Sequence, residues 1–259
     1  MLSQADFAGR IRRSLVWQLM IWLAFAPGVS MAQSDFVLPP GTYRLEMIMA
    51  TVSHLPFLGS SKSASKSVSL VEIRRQGKVM TQTHQVCDFR VLEDSALIKM
   101  VFSDKFVAAL SKHTYPIQLL RDAQGWFYRA DLGMERIGYR ADAEEKLPTQ
   151  IDDPGVYDWD GDGHPGATLR LAVPLLPDGE LYVVQRGQSV LSGRVTSPGR
   201  IEGGIEVLSF EHRVLGAKPS FLNRSPKIEP DPKGSRFSLV LAPRGSTCAS
   251  LRETEAALK

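Results

Sequence analysis

The stretch VSLVEIRRQGKVMTQTHQVCDF, residues 68–89, is the part of the sequence that decides the fold. Two segments rich in β-branched residues, Val68 to Arg75 and Val79 to Phe89, flank Gln76-Gly77-Lys78, which is typical of a tight turn. The stretch therefore predicts a β-hairpin.

The same pattern extends in both directions from this hairpin. Gly41 to Met49 alternates polar and apolar side chains, which is the period of a half-buried strand. Tyr115 to Arg121 and Trp126 to Ala130 flank the turn residues 122–125. Five further strands are predicted at Thr168 to Val173, Leu181 to Gln185, Val190 to Val195, Ile205 to Val214 and Phe237 to Leu241.

About ten short strands at this spacing favour an all-β fold over alternating βαβ units. We expect a single antiparallel sandwich or up-and-down barrel with one short helix and long loops. Ser103 is a predicted N-cap for a helix over residues 105–110. Residues 59–66 and 218–233 are predicted to be loops by their composition.

The N-terminus has the organisation of a secretory signal peptide. Basic residues at positions 10, 12 and 13 precede an apolar run from Leu15 to Val29, which ends at Ser30-Met31-Ala32. The run is shorter than the roughly 20 apolar residues of a membrane anchor. We therefore predict a signal peptide at residues 1–32, a single all-β domain at residues 33–259, a secreted or periplasmic location, and no stable membrane insertion after cleavage.

Charge and cysteine content agree with that location. Without the predicted signal, 28 basic and 27 acidic residues remain, so nothing in the charge favours nucleic acid as a partner. The only two cysteines, Cys87 and Cys248, predict one disulfide in an oxidising compartment, with two buried free thiols as the alternative.

The stretch DWDGDGHPG, residues 158–166, carries the clearest chemistry. Asp158, Asp160 and Asp162 alternate, and Gly163 stands at the sixth place. Calcium takes six to eight oxygen ligands, and a loop with carboxylates at its first, third and fifth positions wraps them around one ion. The alternative is a metal-free Asp-Gly turn.

This spacing resembles the calcium loops of EF-hands, dockerins and thrombospondin type 3 repeats. The resemblance covers about nine residues and implies one calcium ion. It departs from the EF-hand at position 12, which is Leu169 instead of Glu, and in its flanks, which are predicted strands. The run from Asp158 to Leu171 is also similar to one found in exported bacterial proteins that have no assigned activity.

Further ligands would have to come from nearby residues. Asp152 and Asp153 are the nearest candidates, and the backbone carbonyl of His164 occupies the seventh position of the loop. A zinc site built from the His164 imidazole and two aspartates is the alternative. The predicted metal ligands are therefore Asp158, Asp160, Asp162, His164 and Asp153.

No motif of nucleophilic catalysis, phosphate binding or dinucleotide binding occurs in the sequence. The sequence therefore favours a non-enzymatic exported protein with a structural calcium loop and an unidentified small-molecule or cell-envelope partner. The alternative is a calcium-dependent extracellular or periplasmic hydrolase that acts on cell-surface polymers.

Overall fold

The computed structural model describes residues 38–55, 59–92, 99–110, 112–140, 146–172 and 178–257. All of them belong to one compact unit, Phe36–Lys259. The predicted signal peptide at residues 1–32 lies outside the described residues. None of the helices in the described ranges has the length and apolar character that a bilayer crossing requires.

Ten antiparallel strands and two short α-helices make up the described fold. The strands are β1 (Gly41–Leu55), β2 (Gly59–Gln76), β3 (Val79–Leu92), β4 (Lys99–Val101), β5 (His113–Asp122), β6 (Gly125–Ile137), β7 (Ala167–Ala172), β8 (Gly179–Ser197), β9 (Arg200–Lys218) and β10 (Lys227–Leu241). The helices are α1 (Asp104–Ala109) and α2 (Cys248–Ala257), with a 3-10 turn at Ser220–Leu222.

Eight of these strands form a closed ring. The sheet order is β4-β7-β8-β6-β5-β3-β2-β1-β10-β9, and a further pairing of β8 with β9 joins its two sides. The ring strands follow one another in chain order, which is the topology of an up-and-down barrel. Strands β4 and β7 extend the sheet from the first part of β8. The predicted all-β antiparallel fold is confirmed.

The barrel contains two apolar cores, one toward each end. The first takes buried residues from all eight ring strands, with Tyr43, Tyr128 and Leu191 fully buried. The second lies where β6, β7, β8 and β9 meet, and Phe106 of α1 packs into it. The Ser103 hydroxyl accepts a hydrogen bond from the Phe106 N–H at 3.0 Å, which confirms the predicted cap.

Helix α2 packs on the outside of β2 and β3. Cys248 forms a disulfide with Cys87, as predicted, and Leu251 packs against Val68. One turn later, Glu255 is also buried, with 2% of its surface exposed. The C-terminal helix is thus held to the first hairpin by a covalent bond, an apolar contact and buried charge.

Three predictions for individual segments were wrong. Residues 59–66 are the first part of β2, because Ser60 to Lys66 pair along β1. Residues 227–233 belong to β10, where they lie beside the end of β1. The two predicted strands around Arg186-Gly187 are one strand, β8, because β9 pairs with it continuously across these residues.

Candidate metal centre

The acidic loop connects β6 to β7 and is anchored at both ends. Tyr139 bridges to Val156, and Asp158 bridges to Gly166. The Gly166 N–H donates to the Tyr157 carbonyl at 2.8 Å. Gly166 has a φ of +83°, and a Cβ there would lie 2.8 Å from the Val183 carbonyl oxygen. Only glycine therefore lets the loop close this tightly onto β8.

Helix α1 supports the loop from one side. The Trp159 ring packs against Phe106, with ring centroids 5.3 Å apart, and so joins the loop to the second core. The Lys105 ammonium donates to the Gly161 carbonyl at 2.6 Å. Both contacts place the loop against a fixed surface.

Three of the five predicted ligands meet in the folded protein. Asp158, Asp160 and Asp162 each offer a carboxylate oxygen, and these oxygens lie within 4.8 Å of one another. Asp153 is not part of the cluster, and one of its oxygens accepts the Gly155 N–H at 2.9 Å. The predicted role of Asp153 as an additional ligand therefore finds no support in this geometry.

The His164 side chain also lies outside the cluster of three. Its ring packs on Tyr182 with centroids 4.8 Å apart, and its Nε2 lies 3.9 Å from a Glu180 oxygen. Its backbone N–H donates to Asp162 Oδ1 at 2.9 Å, so this residue supports the loop through its main chain. The geometry does not favour a zinc site through the imidazole.

Backbone hydrogen bonds orient the three carboxylates. The Asp158 oxygens accept the N–H groups of Asp162 and Gly163 at 2.9 and 3.0 Å. Asp160 Oδ2 accepts the Thr168 N–H at 3.2 Å. The positive φ values of Gly161 and Gly163, +70° and +95°, permit the turns that bring these groups together.

Asp160 is the unusual member of the cluster. It is 6% exposed, and its Oδ1 has no hydrogen-bond partner. Burial raises its pKa, and repulsion by Asp162 and Asp158 acts in the same direction, against the hydrogen bond from Thr168. A buried carboxylate with a free oxygen beside two other carboxylates is an arrangement that a bound cation would stabilise.

Sequence reasoning missed one residue that contacts this centre. The Thr168 hydroxyl is buried without a partner, next to the backbone N–H that Asp160 accepts. In the sequence Thr168 is only the second residue of a predicted strand, so no spacing rule indicated it. The three carboxylates of the cluster are oxygen donors, which fit a hard cation such as calcium or magnesium.

The fold and this centre define the class: an all-β barrel-like protein with an acidic cluster able to hold a metal ion. The chain matches no protein-family model, and comparisons with curated proteins and with solved structures found no similar chain.

Proposed function

We propose that the protein is exported and non-enzymatic, and that its acidic loop binds one calcium ion that fixes the connection between β6 and β7. The observation that carries this proposal is the free, buried Oδ1 of Asp160 beside two carboxylates. Calcium would offset the repulsion among the three charges and restore the interactions that Asp160 loses on leaving water.

Calcium fits the loop better than its competitors. Magnesium usually retains several waters and binds through one or two carboxylates, whereas three carboxylates converge here. The loop contacts α1 through Trp159 and β8 through Gly166, so an ion that fixes the loop has a structural role.

The disulfide supports export because such bonds persist in oxidising compartments. In those compartments millimolar calcium suffices to fill even a weak site. In this role the ion stabilises a barrel that serves a small-molecule or cell-envelope partner. The hydrolase alternative stays a prediction.

Calorimetric titration of the chelator-treated protein with calcium chloride tests the proposal. We expect saturable binding of one ion with a Kd on the order of 10⁻⁴ to 10⁻³ M, as in extracellular calcium modules. At a calcium concentration about 100 times the Kd, the free energy of unfolding rises by about 2.7 kcal/mol. Both effects disappear in the Asp160→Asn/Asp162→Asn double variant.

Two single variants serve as controls. Asp152→Asn changes an exposed carboxylate of the same connection that does not belong to the cluster, and His164→Ala removes the imidazole. Both should bind calcium as the unaltered protein does. Loss of calcium binding in His164→Ala would show that the imidazole is a ligand of the ion. Absence of binding to the unaltered protein at millimolar calcium would refute the proposal.

A further inference from the structure

The barrel wall divides between β5 and β6. Their pairing runs from Asp122 and Gly125 only as far as Gln118 and Arg129. Beyond that point β5 continues along β3 to His113, and β6 continues along β8 to Ile137. Among the described residues, these two stretches have no pairing with each other. We call this opening the β5–β6 cleft, formed by residues 113–117 and 130–137.

Polar side chains from three strands face the interior at this level. His84 and Gln82 of β3 pair with His113 and Tyr115 of β5, so all four point to one face. That face is the interior, because Gln82 accepts a hydrogen bond from the Tyr128 hydroxyl within the first core. The His84 and Tyr115 rings lie edge to face, 5.1 Å apart.

Glu135 faces the same space from β6. A bulge between Asp131 and Met134 shifts the register and sets Glu135 opposite Gly187 of β8. Leu132, within the bulge, and Ile137, two residues after Glu135, both pack into the interior cores. Glu135 therefore points inward on the same face as Ile137.

Water reaches Glu135 although its side chain points inward. The residue is exposed and lies opposite Gly187, which has no side chain to cover it. The surrounding protein raises the pKa of Glu135 by burial, and His113 partly offsets this effect. Among the described residues, no ion pair or hydrogen bond involves its carboxylate.

His84 supplies a second group without a partner. It is 8% exposed, and its Nε2 makes no hydrogen bond. Burial lowers its pKa to about 4, so the imidazole is neutral near pH 7 and one ring nitrogen accepts a hydrogen bond. The Glu135 carboxylate and the imidazole of His84 thus face one cleft as acceptors, and the Gln82 amide nitrogen on the same face is a buried donor that also has no partner.

An apolar surface lies across from Glu135. Glu135 of β6 lies opposite Gly187 of β8, and Gly187 lies opposite Phe210 of β9. A Cβ on Gly187 would lie 3.6 Å from the Phe210 ring. The missing side chain leaves room between the carboxylate and the ring. Beyond it, Leu132 continues the apolar surface toward the first core.

We propose that the β5–β6 cleft is the mouth of a binding site for a small alkylammonium ion, held by the Glu135 carboxylate and the His84 imidazole. The ammonium group donates to both acceptors and lies near the Tyr115 ring, whose face attracts cations. The alkyl part packs on Phe210. An anion would meet Glu135 unfavourably, and these side chains do not form a metal-ligating group of three.

The site does not depend on calcium, since none of its residues belongs to the acidic loop. The test monitors the histidine ring proton NMR signals, assigned with His84→Gln and His113→Gln variants, during titration with n-butylammonium chloride. Sodium butyrate, which is an anion, and 1-butanol, which is uncharged, are titrated at matched ionic strength as controls for the charge of the ligand. Each titration is run both in calcium and in chelator, so that failure of the metal site and failure of the cleft are separated.

We expect butylammonium to shift the His84 and His113 signals saturably, with a midpoint on the order of 1 to 10 mM for a ligand of about five non-hydrogen atoms. Glu135→Gln should weaken binding at least about tenfold, since it removes the charge that holds the ammonium group. Asp131→Asn, on the same strand but bonded to Gln188, should leave the midpoint unchanged. Tyr115→Leu provides a second variant and should weaken binding by about threefold.

Three results would overturn the proposal. Butyrate could bind as tightly as butylammonium, which would make the cleft a site for anions or for alkyl chains alone. Glu135→Gln could retain the midpoint of the unaltered protein. The histidine signals could also stay in place up to about 100 mM butylammonium, which would exclude even a weak site.

Discussion

Glu255 on α2 and Asp160 in the acidic loop are both buried carboxylates, 2% and 6% exposed, but their surroundings are opposite. Glu255 accepts hydrogen bonds from Arg44, Lys66 and Arg90, and those from Lys66 and Arg90 measure 2.8 and 2.9 Å. Asp160 has one backbone donor, one free oxygen and two carboxylates nearby.

The electrostatic consequences differ accordingly. Burial opposes ionisation of Glu255, but its hydrogen bonds to Lys66 and Arg44 outweigh burial and lower its pKa. Burial and repulsion together raise the pKa of Asp160. The chain itself satisfies the first carboxylate, which marks it as structural. The second carboxylate keeps one oxygen without a partner among the described residues, and it is therefore the one that we propose as a metal ligand.

The largest expected effect comes from removing the charge of Glu255. Glu255→Gln leaves three cations around a neutral amide, and breaking a buried ion cluster in this way costs about 3 kcal/mol. Urea denaturation measures the loss. The control is Glu253→Gln, an exposed position on the same helix. A loss below about 0.5 kcal/mol would show that the ion cluster contributes little net stability.

The comparison extends to His84, a buried imidazole that forms no ion pair among the described residues. Burial lowers the pKa of His84 from 6.5 to about 4, with the neighbouring His113 acting in the same direction. Between these pH values the unfolded chain binds a proton that the folded protein does not. Stability is therefore lost as the pH falls from about 6.5 to about 4, by roughly 2 to 3 kcal/mol.

Urea denaturation between pH 4 and 7 checks this effect. His84→Gln should flatten the decline, whereas His54→Gln, at an exposed position, should leave it as it is. His212, whose pKa burial also lowers to about 4, will keep part of the slope in either variant. An unchanged slope in His84→Gln would mean that this imidazole is protonated without cost in the folded state.

The smallest expected effect tests the contrast between Asp160 and Glu255 most directly. In chelator, Asp160→Asn removes one of three repelling charges and should raise the free energy of unfolding by up to about 1 kcal/mol. Glu255→Gln has the opposite sign under the same conditions. Thermal unfolding in chelator compares the two. A marked destabilisation by Asp160→Asn without metal would show that the loop is complete as an ion-free turn.

The local sequence pattern was sufficient to predict much of the fold and the acidic cluster. Alternation predicted β1, and turn residues predicted the β2–β3 and β5–β6 hairpins. The spacing of Asp158, Asp160 and Asp162 predicted the cluster, because residues of one short loop meet through backbone turns alone. The Cys87–Cys248 bond followed from there being only two cysteines.

The segments that were predicted wrongly or not at all depend on residues that are distant in the sequence. The serine-rich start of β2 has a loop composition, and it is a strand because β1 lies beside it over its whole length. Helix α2 carries little apolar pattern, and it packs through Leu251, Glu255 and the disulfide against strands early in the chain. The β5–β6 cleft begins where the pairing of β5 with β6 ends, and no residue type in the sequence predicts that position.

The pairing of β1 with β10 also determines the order in which the fold can be assembled. Tyr43 lies opposite Leu241, so the contact that closes the ring joins the first strand to the last. A chain that emerges N-terminus first can pair each new strand with one already present, but the outer edge of β1 waits for β10. Contacts of such long sequence separation form slowly. During that interval β1 and β9 present exposed strand edges, and other extended chains can pair with edges of this kind.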